Sequence, residues 1–364
     1  MRSIWQITKF EVKQQSKSLL FLICTILLIY NMYQEFRPLL TYYPIQSDSD
    51  ISQLAQSGNP EHLQVLRSEK ELALAVSKYL LDLSPEYFEN NLEASKKLRR
   101  LGEEIQKKQM NISQILAYSK ENLNDWFYWV EGAIESEKYR FGTVEEVNEK
   151  LKKDLDGKYF TYEVAMRFVD RAQVFSSIIV IPLFVLMFYK DRRYQMEELI
   201  HSKKIKPHEY IIGRFSGGML PLVAVLFLLA TIINIWMCIK FIKVGETVNF
   251  LDMYINFFLF LLPSILFSSV FVVFLSLVFR NSIAALPVLF MYFIFNISEQ
   301  AFTGREMNTV SMYKFMIRTD GLIIDYKLFS IIVENRLLYL LMSLVFLALS
   351  AKLWRKRSIS AAKG

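Results

Sequence analysis

The sequence predicts an all-α polytopic membrane protein: six transmembrane helices with a mainly helical extracellular domain between the first and second spans. Three observations predict it. The 364 residues are 53% hydrophobic, too apolar for an ordinary soluble chain, while 22% are charged, too many for a chain lying wholly in lipid. Apolar runs that cross or nearly cross a bilayer recur six times along the chain. Charge is segregated: residues 34–170 hold 24 Asp/Glu against 18 Lys/Arg, a net of −6, and the rest of the chain nets +13. Bases flanking apolar runs read as membrane orientation signals rather than as a nucleic-acid footprint, so nucleic acid is not an expected partner.

The elements follow in order. Residues 1–17 place Lys9, Lys13 and Lys17 four apart, one basic stripe on a helix. Ile4, Trp5, Ile7, Phe10 and Val12 fill the remaining arc, interrupted by Thr8 and Glu11. That is the pattern of a cytoplasmic amphipathic helix at the membrane interface. The first span is 18–33, read as an uncleaved signal anchor because no small-x-small cleavage site closes it. The second is 173–189, the third 216–239 and the fourth 253–279. The fifth, 283–297, is short and carries Pro287, so it is read as tilted or broken. Residues 298–336 are expected as an extracellular or re-entrant loop, 337–354 as the sixth span and 355–364 as a cytoplasmic tail.

The bases set the orientation. Arg2 to Lys17, the cluster from Lys190 to Arg214, Arg280, and Arg355 to Arg357 share one side if both termini are cytoplasmic. A multi-pass protein of a cell membrane, bacterial in type, is the expected setting.

Residues 34–172 are expected to be an extracellular helical domain. Ser84 reads as an N-cap with Pro85 at the first helical position, and Tyr87, Ala94, Leu98, Leu101 and Ile105 mark one face of the helix that follows. Thr143 and Glu146 read as a capping box. Residues 47–60 are the best loop candidate, and no run alternates as a strand does. The row Trp126, Phe127, Tyr128, Trp129 reads as core or membrane-contact surface before it reads as a ligand cage.

Catalytic signatures are missing. No phosphate-cradling G-x-x-x-x-G-K-[ST], no G-x-S-x-G and no H-E-x-x-H occurs, and the three histidines show no zinc pattern. Catalytic, cofactor and metal residues are therefore not expected in this chain. Cys24 and Cys238 both fall in apolar runs and offer no disulfide framework. Asn234, Asn256, Ser264, Ser268, Ser269, Asn296 and Glu299 lie in or beside the spans, where helix packing is their first expected role.

Between the second and third spans runs EELIHSKKIKPHEYIIGRFSGG, residues 197–218. Met196, Leu199 and Ile200 recur at helical spacing, the lysines of 203–206 break it, and Pro207 suits the first turn of a new helix. The cytoplasmic loop 190–215 therefore reads as helix, turn, helix. A solvated hairpin carrying positive-inside charge is the plain alternative.

The stretch resembles the corresponding loop of ABC-2-type transporter permeases, typically Glu-Leu-Leu-Leu-Ser-Thr-Pro-Val-Ser-x-x-Glu-Ile-x-x-Gly-Lys. Glu198, Leu199, Ile200, Ser202, Ile205, Glu209, Tyr210, Gly213 and Arg214 match that register by identity or residue type. The family's proline falls at Lys204, and Pro207 stands three residues on. Six spans, an amphipathic first helix and a large domain after the first span resemble one branch of the same family.

The resemblance implies a permease subunit without its own ATPase, probing a separate ABC ATP-binding subunit through a coupling helix. Glu197, Glu198, Leu199, Ile200, Ser202 and Lys203 are then the contact, with Arg193, Pro207, Glu209, Gly213 and Arg214 orienting the loop. It implies ATP and Mg on the partner subunit, and a second permease chain, alike or different. The substrate is expected to be an exported amphiphile such as a peptide, antibiotic or lipid. Two other readings stay open: a mechanotransmission protein that moves its outer domain without passing a substrate, and a receptor or tether without any ATPase.

Overall fold

The computed structural model describes residues 2–42, 45–56, 63–83, 92–123, 126–155, 157–193, 200, 205–279, 281–297, 312–318 and 329–361. Its elements in chain order are α1 (Arg2–Ser16), α2 (Leu19–Tyr42), α3 (Asp48–Gln56), β1 (Gln64–Leu66), α4 (Glu69–Asp82), α5 (Leu92–Lys108), α6 (Ile112–Asn122), α7 (Phe127–Ser136), β2 (Tyr139–Phe141), α8 (Val144–Asp154), α9 (Phe160–Arg193), α10 (Pro207–Lys243), α11 (Asp252–Val278), α12 (Ser282–Ile297) and α13 (Phe329–Ala361). They divide into two units, 1–44 with 155–364, and 45–154.

In the larger unit, five helices among the described residues are long and apolar enough to cross a membrane: α2, α9, α10, α11 and α13. Large apolar side chains stay exposed along them, as at Ile26, Leu228, Ile232, Leu341 and Leu344. Such faces suit hydrocarbon rather than water. The chain is a multi-pass helical membrane protein. α12 is apolar but shorter. Asn281 Oδ1 accepts the Ile283 N–H at 3.1 Å and starts a 3₁₀ turn, and Pro287 sits in the first α-helical turn, where its missing N–H costs nothing.

Several helices run past the expected spans. α2 continues to Tyr42, and α9 already begins at Phe160, so both ends of the expected 34–172 domain are helix continuous with a span. α10 takes in 207–215, and α13 takes in 329–336 and 355–361, which were expected as loop and tail. Hydropathy marks only the part of a helix that lies in lipid, not the polar turns that prolong it. Besides 329–336, the expected 298–336 loop has 312–318 described, and that piece is buried at Lys314, Phe315, Met316 and Ile317. Phe315 joins an aromatic cluster with Phe267, Tyr292, Phe293 and Tyr339.

α11 contains a π turn, Phe257–Leu261, just before Pro263. Proline has no N–H for the helix ladder, and π turns are the usual local adjustment at such places. α11 packs against both α9 and α13, and α1 packs along α10.

The smaller unit is held by short capped helices. Ser68 with Glu71, and Asn111 with Gln114, form capping boxes at α4 and α6. Thr143 and Glu146 do the same at α8, where the Thr143 N–H reaches Glu146 Oε2 at 2.9 Å. Ala94, Leu98, Leu101 and Ile105 of α5 are buried with Val76, Leu80, Ile115 and Val130 in one core. Ser84, Pro85 and Tyr87 lie outside the described residues. The sheet not expected from sequence is β1 paired antiparallel with β2, Val65 opposite Arg140. Three-residue strands are too short for alternation to register. The expected loop 47–60 holds α3 instead: Asp50 accepts the N–H groups of Gln46 and Ser47, and Ile51 and Leu54 are buried. Polar composition hid two apolar residues three apart, which is helical spacing.

Candidate functional site

Residues 194–206 join the end of α9 to the start of α10, and of them Ile200, Ile205 and Lys206 are described. Three helices meet there through one arginine. Arg214 of α10 donates from Nη1 to Glu11 of α1 and from Nη2 to Asp191 of α9. Tyr210, one turn earlier on α10, donates its hydroxyl to Asp191 Oδ2 at 2.7 Å. Trp354 of α13 stacks on the Tyr210 ring with centroids 4.6 Å apart. Arg214, Glu11, Asp191 and Tyr210 are each at least nine-tenths buried. Burial pushes the Glu11 carboxyl above its ordinary value, against the pull of the Arg214 charge. Two carboxylates on one guanidinium are what a buried arginine needs in low dielectric.

α1 reaches this cluster because α10 shows it glycines. A Cβ on Gly213 would lie 2.8 Å from Ile7 Cβ, and one on Gly217 would lie 2.2 Å from Glu11 Cβ. Small residues four apart let two helices approach closely. The Thr8 hydroxyl then donates to the Gly213 carbonyl at 3.3 Å. Thr8 and Glu11, which interrupt the apolar arc of α1 in sequence, are its packing face, while Trp5 and Phe10 are exposed.

Of the residues expected to orient the loop, Gly213 and Arg214 belong to this cluster. Pro207 opens α10 after the extended Lys206 and Glu209 sits in its first turn. Arg193 ends α9, exposed. Of the expected contact residues, Ile200 is described and lines a cavity beneath α1. Glu197, Glu198, Leu199, Ser202 and Lys203 lie outside the described residues.

A second polar cluster lies 18 to 21 residues back along α9, about 30 Å at the helical rise. No charged residue falls between 172 and 189. Asp170 takes Arg318 in two bonds, 2.8 and 3.0 Å. Gln173 donates to the Ile317 carbonyl at 3.2 Å, and its Oε1 lies 2.8 Å from the Ser264 hydroxyl. Ser264 and the Phe260 carbonyl accept from Arg336 Nη1 at 2.8 and 3.1 Å. Arg336 is 3% exposed, and its Nε and Nη2 have no hydrogen-bond partner among the described residues. No carboxylate among the described residues pairs with it.

Of the other polar residues of the spans, two hold segments between helices rather than a neighbouring helix: Asn234 donates to the Phe250 carbonyl at 2.9 Å, and Asn296 accepts the Phe315 N–H at 3.0 Å. Glu299 lies outside the described residues. The aromatic row forms no cage: Trp126 packs on the core of the smaller unit, and Tyr128 is 75% exposed.

Comparison with protein-family models, with curated proteins and with solved structures returns no match to this chain.

Proposed function

We propose that this chain is the membrane-spanning subunit of an ABC-2-type transporter, driven by a separate ATP-binding subunit that seats the 190–215 loop. The observation that carries the reading is the Arg214 cluster at the base of that loop. A push on the loop reaches α9, α10 and α1 together, because one buried guanidinium joins all three. The cluster thus gives the loop a stiff base that spans three helices.

On this reading α12 crosses as a short sixth span, residues 45–154 stand on the outer side and both termini are cytoplasmic. Glu197, Glu198, Leu199, Ile200, Ser202 and Lys203 meet the ATPase, with Leu199 and Ile200 as apolar anchors. ATP and Mg bind the partner, two permease chains pair, alike or different, and closure of the ATPases reshapes the path between them. The exported substrate is an amphiphile.

The test is purification from the native membrane in mild detergent. The reading predicts an ATP-binding-cassette subunit near one-to-one with this chain, lost on Glu198→Arg. Preparations free of any ATPase in several detergents would overturn it and favour a receptor or tether.

A further inference from the structure

The cavity beneath α1 is lined by α1, α2, α9 and α10 and by Ile200 and Ile205 of the segment that joins α9 to α10. It measures about 550 Å³ and opens between α1 and the loop-side ends of α9 and α10. Its lining is apolar at Phe10, Leu20, Leu183 and Leu186. Gln14, Gln15, Ser18 and Lys190 add polar groups to the same lining, Gln14 one turn from Phe10 and Lys190 one turn from Leu186. The Arg214 charge at its base is already matched by Glu11 and Asp191. Lys190 is exposed at the cavity, and the buried Gln15 Nε2 has no acceptor among the described residues.

The helix surface beside the cavity is basic. Gln6, Phe10 and Gln14 line it from successive turns of α1. Lys9, Lys13 and Lys17 each stand three residues further on, the neighbouring row of the helix surface, with Lys9, Lys13 and Lys17 all exposed. So an apolar lining, a spare amide donor, an ammonium and a flanking row of lysines occur together where α1 meets the ends of the spans.

We propose that this cavity holds one anionic glycerophospholipid of the leaflet on the α1 side. Its phosphate accepts from Lys190 and from Gln15, whose terminal amide torsion is soft enough to turn the N–H toward the cavity. An acyl chain lies along Leu20, Leu183 and Leu186. A zwitterionic headgroup gains nothing from the lysine row, which favours net negative charge. The bilayer is the source because the apolar lining continues onto two membrane-crossing helices, α2 and α9. The assignment rests on Lys190, Gln15 and the apolar lining and not on the transporter reading, although Ile200, given above to the ATPase contact, also lines the cavity.

Native mass spectrometry of the delipidated full chain tests it, with phosphatidylglycerol, phosphatidylcholine or soluble glycerol phosphate added in separate arms. The expected result is one phosphatidylglycerol per chain, retained under activation that strips the others, and a roughly tenfold weaker first binding for Lys190→Gln with Gln14→Glu. Both changes fall on exposed side chains and leave Glu11, Asp191 and Arg214 in place. Equal retention of phosphatidylcholine, equal binding by the variant, or glycerol phosphate binding as tightly as the lipid would each overturn it. The wild-type arms decide lipid against soluble anion without any variant.

Discussion

Arg214 and Arg336 are both buried arginines of helices that cross the membrane, and they are treated oppositely. Arg214 has two carboxylates, a carbonyl and a stacked tyrosine around it. Arg336 has one carbonyl, one hydroxyl and the face of Phe260. The first is a compensated charge whose loss strands two acids, so it works as a joint between α1, α9 and α10. The second has no carboxylate among the described residues, and its removal is expected to cost far less. A buried charge is therefore no measure of stability by itself; the partners decide how much its removal costs.

Predictions that break or sharpen this contrast run from large to small. Arg214→Met leaves Glu11 and Asp191 buried without a cation and is expected to cost about 3–5 kcal/mol. Adding Glu11→Leu and Asp191→Asn in the same chain should restore most of that, a non-additivity read by thermal unfolding in detergent. Full additivity of the three changes would break the joint. Gly217→Val attacks the same joint through space, because its Cβ meets Glu11; a loss of about 1–3 kcal/mol is expected, with α1 the first segment to gain hydrogen exchange. Unchanged protection of α1 would show that the close approach is not needed.

Smaller effects belong to the 45–154 unit. Asn111→Ala removes the α6 cap and should cost about 1 kcal/mol, seen as faster exchange confined to that helix. Glu146 is held at a pKa of about 2 by Arg140 and the Thr143 N–H, below its ordinary 4.5. Its contribution is thus complete above about pH 4.5 and is lost as pH falls through about 2. The melting difference between the wild type and Glu146→Gln should shrink over that window; a constant difference from pH 7 to 2 contradicts the assignment.

The helical membrane architecture was legible because hydropathy over a span-length window is a strong signal, and the Thr143–Glu146 cap because its spacing is local. Helix ends were not: α9 begins at Phe160 straight after the polar run 152–158, and the polar turn 334–336 hides the start of α13 at Phe329. Arg214 entered the reading through its loop register alone. Its partners Glu11 and Asp191 are 203 and 23 residues away, and only the fold reveals a pair at such a distance. A local hint existed, since Thr8 and Glu11 break an otherwise apolar arc on α1. Asp170, Gln173 and Arg336 gave a weaker one: polar residues at the margins of apolar runs look the same whether solvated or buried.

The central contrast is tested most directly by unfolding Arg214→Met and Arg336→Met side by side, in one detergent at one pH. The account predicts a large loss for Arg214→Met and a far smaller one for Arg336→Met. Equal losses, or a larger loss at Arg336, would show that the two arginines are held in the same way and would contradict it.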